Sequence, residues 1–135
     1  MAATQAGLAI GAQTALPDCK VVDIDAEPER VKADVVRYAD AGAKLLGLLF
    51  DTDQIEVVAD HAGPVYGLPH DATIEALKLA GRLEAMVLDP AYSAKGLAGL
   101  IALIDTGRWG NDDHIVFLNT GGVPALFAYA DALQI

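Results

Sequence analysis

A set of hydroxyl groups beside glycines and turns carries the chemistry this sequence can offer. Tyr66 sits in Gly63-Pro64-Val65-Tyr66-Gly67. Tyr92 and Ser93 follow Asp89-Pro90, Thr120 precedes Gly121-Gly122, and Thr4 stands where a helix begins. A tyrosine serves as general acid or base when its pKa is tuned. A helix N-terminus with a threonine beside it is a ready site for an anion, phosphate included. Glycine lets the backbone come close to a ligand. Each residue taken alone also has a plainer reading, in which a loop tyrosine packs over a neighbour and Thr4 caps its helix.

Other chemistries find little support. No Gly-rich dinucleotide fingerprint or phosphate loop follows a strand, and no Gly-x-Ser-x-Gly elbow occurs. His61, His70 and His114 lie in loops or at a strand start without metal-ligand spacing, so they read as turn or surface histidines and no metal is expected. Cys19 is the single cysteine, which allows no internal disulfide; placed just before a strand, it reads as a buried, inert thiol. Lys20, Lys32, Lys44 and Lys78 have surface roles. Lys95, in Tyr92-Ser93-Ala94-Lys95-Gly96, could approach a site and is conceivable as a Schiff-base lysine. The stronger reading is a helix-terminal lysine turned to solvent or to a carboxylate.

The elements that must position these groups alternate in type. Thr4 to Ala15 is small, apolar and helix-compatible. Lys20 to Ile24 is a short strand. Glu27-Pro28-Glu29 opens a helix that runs through Val31, Val35, Val36, Ala39 and Ala43 at helical spacing and ends between Gly42 and Gly47. Gln54 to Ala59 is a second strand, and His61 to Pro69 is a loop broken by Pro and Gly. Asp71 or Thr73 caps a helix with Ile74, Leu77 and Leu83 inward. Met86 to Leu88 reads as a brief strand. Tyr92 to Asp105 reads as a helix with Leu97, Leu100, Ile101 and Ile104 inward. After a polar turn at Gly107 to Asp113, Ile115 to Leu118 reads as a buried strand, Asn119 to Gly122 as a turn, and Pro124 opens a last helix. Short apolar strands between helices predict an α/β fold, an open parallel sheet flanked by helices. In such folds the junction at a strand's C-terminal end is where ligands bind.

Composition sets the outer limits. The 135 residues are 53% hydrophobic and 21% charged, enough for one core and too apolar for disorder. A formal net charge of −10 argues against nucleic acid or an anionic membrane as partner. The longest apolar run, near Lys44 to Phe50, is too short to cross a bilayer. No charged leader opens the sequence, which reads as cytoplasmic.

Two strings carry a family resemblance. GPVYGLPHDATIEALKLAGRLEAMVLDPAYSAKGLAGLI, followed by IVFLNTGGVPALFAY, closely resembles the C-terminal part of the D-cysteine desulfhydrase and 1-aminocyclopropane-1-carboxylate deaminase family. These are pyridoxal-phosphate enzymes of fold type II, the tryptophan-synthase β-like fold. The leading ATQAGLAIGA resembles the segment at the phosphate end of that cofactor site. The resemblance covers almost the whole chain and is most specific from Gly63 to Tyr129.

The resemblance implies pyridoxal 5′-phosphate as cofactor and a small amino acid as substrate. By residue, it implies that Thr4 helps hold the cofactor phosphate, that Tyr66 reaches the substrate region and that Tyr92 lies close to cofactor and substrate. Thr120 would face the pyridine nitrogen, with Gly121 beside it in the cofactor-binding turn. A hydroxyl there, rather than a carboxylate, leaves the pyridine largely unprotonated, which suits elimination. The deaminase branch looks like Tyr-Glu-Gly-Lys and His-Leu-Gly-Gly. Here Tyr92-Ser93-Ala94-Lys95 and Asn119-Thr120-Gly121-Gly122 look more like the desulfhydrase branch. The implied reaction removes the α-proton of a small D-amino acid, expels its β-thiol, and yields pyruvate, ammonia and sulfide. The alternatives are cyclopropane-amino-acid deamination and, in another class, a non-catalytic binding domain with a degenerate cofactor site. The family's Schiff-base lysine lies beside an Asn-Lys motif absent from this sequence, and Met1-Ala2-Ala3 stands where the family has a Gly/Ser-rich cup. The chain is therefore expected to be one incomplete α/β domain, residues 1–135, the C-terminal portion of a larger enzyme and inactive by itself. A complementing N-terminal segment and a homodimer are the partners this implies, and the bare apolar face of such a portion would self-associate.

Overall fold

The computed structural model describes residues 2–63 and 65–133, and they fall into two compact units, 1–59 and 60–135. Each has its own core.

In the first unit, helix α1 (Ala2–Ala15) precedes strand β1 (Val21–Ile24), helix α2 (Pro28–Leu46), a 3-10 turn (Thr52–Gln54) and strand β2 (Ile55–Val58). Strands β1 and β2 pair in parallel, from Val21 opposite Ile55 to Ile24 opposite Val58. The start and stop of α2 follow its sequence. Pro28 needs no N–H partner in the first turn, Glu29 and Lys44 suit the helix dipole, and Gly47 closes the helix in a left-handed conformation. Val31, Val35, Ala39 and Ala43 recur every fourth residue and are all buried, as their spacing predicts. Val31, Val35 and Ala39 pack with Ala6, Ile10 and Ile55. Burying a side chain such as Val35, fully enclosed here, stabilises a fold by about 1.5–3 kcal/mol. Gln5 adds a polar tie. Its Nε2 donates to the carbonyls of Glu56 at 2.8 Å and Val21 at 3.4 Å, joining α1 to both strands.

Cys19 is exposed, contrary to expectation. It lies in the link between α1 and β1, outside the four-residue ladder, so no strand face carries it inward.

In the second unit, helix α3 (Asp71–Glu84) packs against helix α4 (Ser93–Asp105); a 3-10 helix (Val123–Tyr129) then runs into the short helix α5 (Ala130–Leu133). The buried faces match the prediction in part: Leu77 and Leu97 pack against the buried cluster, while the most enclosed positions are smaller residues. Helix α3 buries Thr73, Ala76 and Ala80, and α4 buries Ser93, Ala94, Lys95, Ala98, Gly99 and Leu103. Leu83 and Ile104 are exposed. Small residues let helix backbones approach closely, and that contact outweighs the larger side chains on the neighbouring stripe. Met86 to Leu88 and Ile115 to Leu118 form no strand. A strand exists only with a neighbour to pair with, and neither segment has one among the described residues. Leu88 is nonetheless buried with Ala80 and Ala94, and Phe117 packs on that cluster. The final helix predicted from Pro124 begins instead at Val123 and is 3-10 for its first seven residues. No helix among the described residues is long and apolar enough to cross a membrane.

Candidate functional site

Asp89 is the residue around which the site is built. It is 2% exposed, and its carboxylate accepts three hydrogen bonds: Ala91 N at 3.0 Å to Oδ1, and Ser93 N at 2.9 Å and Ser93 Oγ at 2.6 Å to Oδ2. Ser93 Oγ in turn accepts from Asp89 N at 2.9 Å. Asp89 and Ser93 thus satisfy each other at the start of α4, in the manner of a cap. Tyr92, the residue preceding the helix, makes no side-chain cap, and its side chain lines a pocket instead.

The other wall is the turn Asn119-Thr120-Gly121-Gly122. Asn119 Oδ1 accepts from Gly121 N at 3.1 Å, a local bond typical of asparagine turns. Gly121 and Gly122 have φ of 112° and 96°, a conformation that favours glycine. Gly122 is also required sterically, since a Cβ there would lie 2.5 Å from Asp89 Oδ2 and 2.8 Å from its Cγ. The two motifs, more than 25 residues apart in sequence, therefore meet at Gly122 and Asp89.

The resulting pocket holds about 280 Å³ and is lined by Tyr66, Asp89, Ala91, Tyr92, Thr120, Gly121, Gly122 and Ala125. It sits at the small end of ligand-sized cavities, which start near about 300 Å³. Four of the five residues singled out in the sequence, Tyr66, Tyr92, Thr120 and Gly121, line it together. Thr4 belongs to the first unit, exposed in the first turn of α1. Asp89 and Gly122 were not among the sequence candidates. Their signal was present: an Asp-Pro followed by a serine four residues on, and the second glycine of a pair.

Lys95 corrects an expectation. It is 6% exposed, and its Nζ donates to the carbonyl of Val65 at 2.7 Å rather than pointing to solvent. His70 precedes α3 and its Nε2 lies 3.3 Å from the carbonyl of His61, so both stay within the loop. Among the described residues no group of three or more His, Cys, Asp or Glu is placed to hold a metal ion.

Comparison with known proteins gives this geometry a context. The sequence model of one family, described as pyridoxal-phosphate dependent enzyme, matches residues 1–121. The chain is 41% identical over 130 residues to a D-cysteine desulfhydrase of Salmonella typhi, covering 95% of this chain and 39% of that protein. It is 38% identical over 131 residues to a 1-aminocyclopropane-1-carboxylate deaminase of Ralstonia pickettii (strain 12J), covering 94% and 39%. A crystal structure described as an ACC deaminase homologue superimposes with a TM-score of 0.87 at 28% identity, over 99% of this chain and 41% of that one. The chain thus spans about two fifths of the length of these relatives. The α/β fold expected from the sequence is that of this fold type II enzyme.

Proposed function

This chain belongs to the family of pyridoxal-phosphate-dependent enzymes, and we propose that it serves a D-cysteine desulfhydrase-like lyase, one that eliminates the β-thiol of a small D-amino acid to give pyruvate, ammonia and sulfide. The observation that supports this reading most is the convergence of Tyr66, Tyr92 and Thr120 on one pocket with a glycine-pair floor. The donor set fits the cofactor: neutral hydroxyls around a cavity of about 280 Å³, with backbone able to approach where Gly121 carries no side chain.

Thr120 and Gly121, which line the pocket together, would hold the ring end of the cofactor. When bound, the cofactor supplies an electron sink for charge developing at the substrate's α-carbon. Thr120 would offer the ring nitrogen a hydroxyl rather than a carboxylate, which would keep that sink moderate. Tyr92, which makes no side-chain cap and lines the pocket, would move a proton to or from the substrate. Tyr66, 77% exposed on its loop and part of the pocket lining, would protonate or orient the departing thiol. Ala91 and Ala125 keep the pocket wall small, which suits a short side chain.

Sulfide release from D-cysteine, assayed with pyridoxal phosphate and with a lysine-bearing segment of a desulfhydrase relative supplied in trans, tests the reading. Replacement of Tyr92 by Phe is expected to lower it by about 10²–10⁴. The relatives carry the desulfhydrase and deaminase names at similar identity, so the cyclopropane amino acid is the competing substrate. Equal or better turnover of that compound would overturn the choice of substrate. Cofactor binding with no turnover of either would overturn the lyase and leave a binding domain.

A further inference from the structure

The loop that carries Tyr66 is not held by apolar burial. Val65, Tyr66 and Leu68 are 52%, 77% and 59% exposed. Two side chains from outside the loop fasten it. Lys95 Nζ, from the first turn of α4, donates to the carbonyl of Val65 at 2.7 Å. Tyr129 Oη, from the end of the 3-10 helix, donates to the carbonyl of Gly67 at 2.6 Å. The two acceptors flank Tyr66 at its preceding and following residues. One bond fixes the peptide plane that enters Tyr66, and the other fixes the plane that leaves Gly67.

We propose that Lys95 and Tyr129 are positioning residues that clamp the backbone on either side of Tyr66 and so hold its phenol against the pocket. An ammonium 6% exposed costs free energy to bury, and such groups persist when they bond something specific. Here the bond links the helix that begins beside Tyr92 to the loop that bears Tyr66. Tyr129 does the same from the segment that follows Gly122. Three pocket-bearing segments, around residues 66, 92 and 121, are thereby locked in register by two long side chains.

The role of Tyr66 in this scheme rests on the lyase reading, whereas the clamp itself is measurable without it. Backbone amide exchange in the full chain reads the clamp directly. Lys95→Met keeps the stem and removes the donor, and Tyr129→Phe removes only the hydroxyl. Either is expected to speed exchange by about tenfold or more at Leu68, the loop amide that donates to the Val65 carbonyl, with the amides of Ala98 to Leu103 unchanged. Lys95→Arg should restore slow exchange. In turnover, both variants should raise KM for D-cysteine several-fold while the affinity for pyridoxal phosphate stays that of the wild type.

Unchanged loop exchange in both variants overturns the clamp. So does a Lys95→Met protein that loses its bound-cofactor absorbance with no rescue by Lys95→Arg, since Lys95 would then be anchoring the cofactor. Should Lys95→Met fail to fold, Tyr129→Phe and Lys95→Arg decide the matter by the same exchange readout. Fast loop exchange in the variants of a protein that never releases sulfide supports the clamp and removes the lyase.

Discussion

The two units hold themselves together by different means. In the first, regular pairing dominates: two parallel strands in register, and a helix whose valines and alanines recur every fourth residue. In the second, extended segments pair with nothing among the described residues. Order there comes from single side chains bonded to backbone, locally for Asp89 with Ser93 and across the unit for Lys95 with Val65 and Tyr129 with Gly67. Regular pairing tolerates exchange of one apolar residue for another. Individual polar ties do not, because no neighbouring bond replaces the one that is cut, and where a partner is buried, as Asp89 and Ser93 are, it is left unsatisfied. The unit that carries the pocket is thus the one whose geometry depends on named residues.

Four substitutions sharpen this contrast, beginning with the most damaging. Gly122→Ala adds a Cβ against Asp89 Oδ2 at a φ of 96°. Backbone strain of about 1–3 kcal/mol and overpacking of about 1–3 kcal/mol should combine, lowering the melting temperature and abolishing cofactor binding. Retained binding would mean the two motifs are less tightly joined than the geometry indicates. Leu88→Ala opens a cavity in the second unit's small core and should cost about 2–5 kcal/mol. Its amide exchange should rise around α3 and α4 first; an equal rise across β1 and β2 would break the distinction between the units.

In the first unit, Gln5→Leu removes the donor to Glu56 and Val21 carbonyls. The expected cost is about 1–2 kcal/mol in denaturant unfolding, softened because Gln5 Oε1 has no partner to lose. The smallest effect concerns Asp23. Burial holds its carboxyl above the ordinary 3.8, the Ile24 N–H opposes that, and the neighbouring Asp25 adds to it. The protonated form is therefore favoured on folding. Its contribution is complete below 3.8 and is lost as pH rises through the raised native value. Wild type should lose stability relative to Asp23→Asn across that interval. A difference between the two proteins that stays constant with pH would show that Asp23 titrates normally.

How far the sequence disclosed this molecule follows from the range of the forces involved. Helix α2 was legible because an apolar period, a leading proline and a closing glycine all lie within its own residues. The clustering of Tyr66, Tyr92, Thr120 and Gly121 was legible through motifs that each fix a local turn, read together by resemblance. The inward faces of α3 and α4 were legible in part: Leu77 and Leu97 pack on the core, but Leu83 and Ile104 do not, because hydrophobicity ranks leucine above alanine while close helix contact selects the smaller residue. Lys95 escaped because its acceptor, Val65, lies 30 residues away in sequence. Asp89 escaped because an aspartate before proline looks like an ordinary turn until its serine partner folds back on it.

The unpaired run from Ile115 to Leu118 has a practical consequence. Val116 is 88% exposed in an apolar segment that pairs with no strand among the described residues, and an apolar run with unpaired backbone is a template on which another molecule can add. What opposes this is long-range repulsion from a net charge of −10. Salt screens that repulsion, and acid neutralises it. Concentrated stocks should therefore stay clear in dilute neutral buffer and turn turbid as salt is added or pH is lowered, and a lysine in place of Val116 should act as a gatekeeper that keeps them in solution.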